Sequence, residues 1–243
     1  ATVGSPGATI LGIDGGAPEG STPETAIELN NGLLRVPNLD LSEIIQGSGS
    51  YTFSAWLKPT DLSGDKFLFG QTSQGIHNGI RNNGFLHQAH WGADTNGSTN
   101  LNNYLANDED GWIHATWTYD GETDTGQIYL DGELDWEGDK RSPNGSGSLI
   151  IGGRNGGESG YVGFVDEIAV WDSVITEATI IGLAQGASPI GKTLSDEDED
   201  GLPDFWEEKY EVDNPLADND NDGLNNLEEF KLKTNPKKAD TDS

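Results

Sequence analysis

Short runs in which apolar and polar residues alternate recur along most of this chain. AIEL, GLLRVP, YTFSAWL, KFLFG, GFLHQAHW, WIHATWTY, QIYL, SLIIGG and FVDEIAVW follow one another from Ala26 to Trp171, separated by clusters of glycine and short polar residues. A period of two puts successive side chains on opposite faces of a strand, and such runs with no helical pattern between them predict an all-β domain. Each sheet must bury its apolar face against another layer, so the expected architecture is two antiparallel sheets packed as a β-sandwich.

Two turns are specific. Tyr119-Asp120-Gly121-Glu122 and Leu130-Asp131-Gly132-Glu133 place Asp-Gly between strand-like runs. This pair suits a two-residue hairpin turn because both central residues must accept positive φ. Antiparallel neighbours are therefore expected across residues 111–137. Only VITEATIIGLA, Val174 to Ala184, spaces its apolar residues for a helix, with an exit near Gly186.

The first 21 residues are rich in glycine, proline and small side chains and read as an N-terminal arm, in which Ala8-Thr9-Ile10-Leu11 and Ile13 leave room for a first or exchanged strand. Residues 22–187 form the expected sandwich domain, and SPIGKTLS, 188–195, serves as a linker. From 196 to 243 the pattern changes to a repeat. Asp196, Asp198, Asp200, Gly201 and Glu207 fall at positions 1, 3, 5, 6 and 12 of a twelve-residue loop, Asp218, Asp220, Asp222, Gly223 and Glu229 repeat them, and Asp240 and Asp242 begin a third unit.

That spacing predicts calcium as cofactor. The ion takes six to eight oxygens, which such a loop supplies from alternate side chains, from the position-7 carbonyl (Leu202, Leu224), from position 9 (Asp204, Asn226) and from a bidentate Glu at 12. Loop 1 carries seven carboxylates in its twelve residues, so without cation the segment is expected to repel itself toward unfolding. Helix breakers precede both loops, and Pro203 lacks the N–H that a paired helix-loop-helix uses for its β-bridge, which disfavours that arrangement.

Charge narrows the partners. A net charge of −29, with 17 acidic and 6 basic residues between Gly191 and Ser243, disfavours nucleic acid and anionic lipid, since either needs clustered Lys and Arg. No run approaches the ~20 apolar residues of a membrane span and no leader is recognisable, so membrane insertion is not expected. Cysteine is absent, which removes disulfides and thiolate chemistry. The absence of methionine fits an excised fragment, and the calcium loops argue for an extracellular or cell-surface setting.

In order and spacing, YTFSAWLKP, GWIHATWTYDG, QIYLDGEL, LIIGG and GFVDEIAVWDSVIT resemble the laminin-G-like, concanavalin A-like lectin/glucanase family over about residues 22–187. The resemblance implies a concanavalin A-like jelly roll. It also implies a further calcium site at Asp166, completed by backbone carbonyls near the N-terminal strand. The C-terminal repeat resembles bacterial thrombospondin type-3-like repeats, which wrap calcium and supply little core of their own.

Three function classes follow. Aromatic and amide-rich surfaces bind sugars, and His87, His90, Trp91, Asp94 and Arg81, with Asn78 and Asn82, are the candidate ligand-binding residues of a noncatalytic recognition module for a glycan or cell-surface protein. A subunit that self-associates into a calcium-triggered layer or fibre is the second class. A glucanase-like hydrolase is the third, because Glu133, Asp135 and Glu137 resemble the E-x-D-x-E of related glucanases and alternate along a strand. Trp136 and the adjacent Asp131-Gly132 turn favour a solvated face there, so no catalytic role is assigned. His87-x-x-His90 offers only two zinc ligands.

Overall fold

The computed structural model describes residues 26–40, 49–71, 75–107, 110–143, 147–154, 158–189, 196–198 and 200–239, with backbone alone for 2–3, 8–11, 35–40 and 107. These residues divide at Ile175/Thr176 into two compact units.

The first unit holds β1 (Thr2–Val3), β2 (Ala8–Leu11), β3 (Ala26–Asn30), β4 (Leu34–Asp40), β5 (Tyr51–Pro59), β6 (Lys66–Gln71), β7 (His77–Ile80) and β8 (Phe85–His90). It continues with β9 (Ala93–Asn100), a short helix α1 (Leu101–Tyr104), β10 (Ile113–Asp120), β11 (Thr125–Leu130), β12 (Glu133–Asp139), β13 (Ser148–Ile151) and β14 (Val162–Trp171). They form two antiparallel sheets, a first in the order β1-β4-β13-β6-β7-β8-β9 and a second in the order β12-β11-β10-β5-β14-β3-β2. The all-β jelly-roll expectation holds, and the arm's Ala8–Leu11 run is an edge strand paired to β3.

The core lies between the inner faces. Tyr51, Phe53, Ala55 and Leu57 alternate along β5 and meet Phe69 from the first sheet and Trp117 from β10, all fully buried. Phe53 stacks on Phe69 at 4.9 Å and Trp117 meets Phe69 edge-on at 5.8 Å, offset geometries that suit the ring quadrupoles. The second Asp-Gly turn forms as expected, with Asp131 and Gly132 both at positive φ between β11 and β12. The first does not. Asp120 ends β10 and its carboxylate accepts the Glu122 amide at 2.9 Å, so the chain turns over Gly121–Asp124 and the positive φ falls on Asp124.

The second unit contains α2 (Glu177–Ala184), α3 (Asp204–Tyr210) and α4 (Asn226–Leu232). The helix expected at 174–184 is α2, capped by Thr176 and left through Gly186 at φ 91°. Ile181 packs with Leu202, Trp206, Val212 and Phe230 in a separate core, so α2 groups with the acidic repeats in the second unit. Trp206 and Phe230, 5.8 Å apart, are fully buried there. The repeats therefore have a core of their own, contrary to the expectation that they would supply little.

Candidate functional site

Two regions gather polar side chains at close quarters. The first lies on the outer face of the first sheet. Gly79 of β7 pairs with His87 of β8, so His77, two residues earlier on β7, shares a face with His87, while Ile76, Ile80 and Leu86 point into the core. Phe67 of β6 lies on this outer face, with its ring 4.9 Å from His77 and 5.8 Å from His87, and the Arg154 guanidinium sits 4.8 Å over it.

Asp94 of β9 completes the group. Its Oδ2 is 4.0 Å from His77 Nε2, 3.9 Å from His87 Nε2 and 3.9 Å from Arg81 Nη2. Arg81 in turn donates to Asp65 Oδ2 at 3.1 Å, and the Asn82 amide donates to Asp65 Oδ1. Burial lowers the pKa of His77 and of His87 to about 4, and both imidazoles are neutral at pH 7.

Of the residues expected to bind ligand, the fold brings Arg81, His87 and Asp94 together and sends His90 elsewhere. Positions three apart on a strand face opposite sides. His90 is accordingly buried on the core side, where Tyr51 Oη lies 2.6 Å from its Nε2. Asn78 is buried as well, accepting the Ala89 amide. Trp91 stands 53% exposed in the β8–β9 turn. His77, Asp65, Phe67 and Arg154 were not anticipated. Their strands lie apart in sequence, and only the pairing of β6, β7 and β8 would have revealed them.

The Glu133, Asp135, Glu137 run does not keep three carboxylates on one face. A bulge on β12 leaves Glu133 opposite Leu130 and Glu137 opposite Gln127, which face opposite sides of β11. Asp135 accepts the Ser98 and Thr99 amides of β9 at 3.1 and 2.9 Å, a structural clamp. Asp166 sits at a bulge of β14, where its Oδ1 accepts the Glu167 amide, and it belongs to no three-ligand cluster among the described residues.

The second region is the pair of acidic loops, which fold alike. In each, the position-6 glycine, Gly201 at φ 98° or Gly223 at φ 106°, donates its amide to the first aspartate, Asp196 or Asp218. The position-7 amides of Leu202 and Leu224 donate to Asp200 and Asp222, both at 2.9 Å. Ligand-capable oxygens of Asp196, Asp198 and Asp200 lie within 4.8 Å of one another, as do those of Asp218, Asp220 and Asp222.

Around the second loop several acceptors are buried without a donor. Glu229 is fully buried with Oε2 unpartnered, Asn226 is fully buried with Oδ1 unpartnered, and Asp220 Oδ2 is likewise unmatched. Burial, and then the charges of Asp220 and Asp222, push Glu229 up to about 7; burial, and then Asp198 and Asp200, do the same to Glu207. At position 9 the first loop differs, since Asp204 accepts the Glu197 amide at 2.8 Å. A hard cation with oxygen ligands fits this donor set, because it would satisfy acceptors that no protein hydrogen reaches. Asp240 and Asp242 lie outside the described residues.

The sandwich has known relatives. The Laminin_G_3 family model, of the concanavalin A-like lectin/glucanases superfamily, matches residues 30–181, and the chain belongs to this family. Among curated proteins, none matches. Among solved structures, domain 4 of AbnA, an extracellular GH43 arabinanase from Geobacillus stearothermophilus, in complex with arabinotriose, is similar at 20% identity and a TM-score of 0.50, over 73% of this chain and 88% of that one. The Ruminococcus gnavus IT-sialidase CBM40 bound to alpha2,3 sialyllactose is similar at 14% identity and a TM-score of 0.50, over 65% and 96%. The binding domain of Paraclostridial Mosquitocidal Protein 1 is similar at 15% and 0.52, over 74% of this chain but 45% of that one. At these identities the likeness is one of fold.

Proposed function

We propose that this chain is a noncatalytic carbohydrate-recognition module of an extracellular protein. The observation that carries the reading is the surface at the β8–β9 hairpin, where the Trp91 ring is 53% exposed and Asp94, three residues on, has a side chain 37% exposed with Arg81 Nη2 3.9 Å from its Oδ2. An indole face stacks on the apolar face of a pyranose or furanose ring, and a carboxylate with a guanidinium beside it can hold adjacent sugar hydroxyls. Similarity to an arabinotriose-binding domain and to a sialyllactose-binding module supports this substrate class.

In the same proposal the C-terminal unit binds calcium in both acidic loops, resembling thrombospondin type-3-like repeats. The supporting observation is Glu229, a fully buried carboxylate among three aspartates. Calcium would cancel that crowding and stiffen the unit, fixing how the module is displayed. Screening the intact chain on a glycan array, with calcium and with chelator, tests both parts. Binding to no glycan in either condition overturns the recognition role, and a calorimetric titration showing no uptake of millimolar calcium overturns the metal role.

A further inference from the structure

The outer-face cluster has a second chemistry that sugar binding does not require. We propose that His77, His87 and Asp94 form a site for a divalent transition-metal ion of the zinc type, distinct from the calcium loops. The proposal stands whether or not a glycan binds nearby.

Three observations carry it. The first is the arrangement around Asp94 Oδ2, which has two imidazole Nε2 atoms at 3.9 and 4.0 Å, beyond hydrogen-bond length, in a group whose ligand-capable atoms all lie within 4.8 Å of one another. Metal–ligand bonds of about 2.0–2.2 Å place tetrahedral ligand atoms about 3.4 Å apart, so each carboxylate–imidazole distance would have to close by about half an ångström. Asp94, with a side chain 37% exposed, has room to supply it.

The second is the tautomer of His87. Its Nδ1 lies 2.8 Å from Asn96 Oδ1. If that amide oxygen accepts from Nδ1–H, the lone pair is on Nε2, which is buried and has no donor. A carboxamide or carboxylate behind a liganding histidine is the usual device for fixing ring orientation. His77 is equally buried, and its Nδ1 also lacks a partner.

The third is charge. Arg81 Nη2 stands 3.9 Å from the same Asp94 oxygen, but the hydrogen bond of that guanidinium goes to Asp65 at 3.1 Å, so the ion would compete only with an ion pair longer than a hydrogen bond. Two imidazoles and one carboxylate suit zinc, cobalt or nickel and are a poor set for calcium, which prefers oxygen alone. Three protein ligands leave a coordination position for water or for an oxygen of a bound molecule.

The test uses the whole chain, stripped of metal and then held in excess calcium so that the acidic loops are filled. Zinc is titrated by calorimetry and cobalt by visible absorption. The expected result is uptake of a single ion, with the intense d–d bands of a low-coordinate cobalt site, and a loss of affinity of about tenfold or more in Asp94→Asn and in His87→Gln. Asp94 is half-exposed, so its variant remains informative even if His87→Gln fails to fold. No zinc uptake by the parent chain in calcium, or equal uptake by Asp94→Asn, overturns the proposal. Neither outcome bears on glycan binding, which is read separately.

Discussion

Tyr51 Oη donates to His90 Nε2 across 2.6 Å in the buried interior of the sandwich. The direction follows from the other ring nitrogen: Nδ1 lies 2.6 Å from the Arg141 carbonyl oxygen, which can only accept. Tyr51 Oη in turn accepts from Gln88 Nε2 at 3.0 Å, so the three side chains form a hydrogen-bonded chain that needs a neutral imidazole.

Burial lowers the pKa of His90 from 6.5 to about 4. The native state therefore declines a proton that the unfolded chain accepts, and stability is fully present above pH 6.5 and lost as pH falls toward about 4. His90 contributes at most about 3 kcal/mol to that loss. Urea unfolding of the sandwich at about pH 7.5 and about pH 5 should show a lower midpoint in acid, and Tyr51→Phe should cost about 1–3 kcal/mol at the higher pH. A midpoint indifferent to pH would contradict this account of the ring.

Asp135 reaches from β12 in one sheet to the Ser98 and Thr99 amides of β9 in the other, joining two edges. Gly97 makes room for it, since a Cβ there would lie 1.9 Å from Asp135 Oδ2. Gly97→Ala should destabilise the sandwich by about 1–3 kcal/mol. In an Asp135→Ala background the same change should cost far less, because the clash has been removed. Additive costs in chemical denaturation would show that the clamp is not the reason for glycine.

How much of this was legible depended on whether the relevant residues are neighbours in sequence. The acidic loops could be read because positions 1, 3, 5, 6 and 12 lie within one turn of chain, and the turn at Asp131-Gly132 because positive φ is a local demand. β7 and β9 could not. HNGI is too short to show alternation, and ADTNGSTN is polar throughout, held as an edge strand by pairing with β8 and by Asp135. The outer-face cluster draws on β6, β7, β8 and β9, so it exists only once the strands are paired. His87-x-x-His90 misled for the complementary reason: the two rings are close in sequence but on opposite faces, and the true neighbour of His87 is His77.

If Trp91 is a stacking platform, Trp91→Ala should weaken glycan binding about tenfold or more while leaving the unfolding midpoint nearly unchanged, since the ring is 53% exposed. Isothermal titration with the best glycan from an array, alongside a denaturation curve, separates the two. Loss of binding together with loss of fold would point instead to a structural role for the β8–β9 turn.

Glu229→Gln keeps the shape of the side chain and removes one of the four crowded carboxylates. Calcium affinity of the second loop should fall by a factor of about 10 or more, while the ion-free unit becomes less self-repelling. Trp206, buried in the core of that unit, reports its folding, and its indole N–H resonance can be followed by NMR as calcium is added or chelated. If the resonance is sharp and unchanged in chelator, the unit does not depend on the ion.

The same carboxylate sets the pH response of the calcium-free unit. Its folded pKa of about 7 lies above the ordinary 4.5, so between those values the native state holds a proton that the unfolded chain has released. Stability of the ion-free unit should therefore fall as pH rises from about 4.5 to about 7, with Glu207 acting in the same direction. If the loop binds calcium as proposed, the ion should reverse the slope, because it would bind the deprotonated carboxylates and compete with the proton. Apparent calcium affinity should rise with pH up to about 7 and level off above it. Thermal melts followed at the Trp206 resonance, in chelator and in calcium across this range, would show opposite slopes, and parallel slopes would mean that Glu229 is not a ligand.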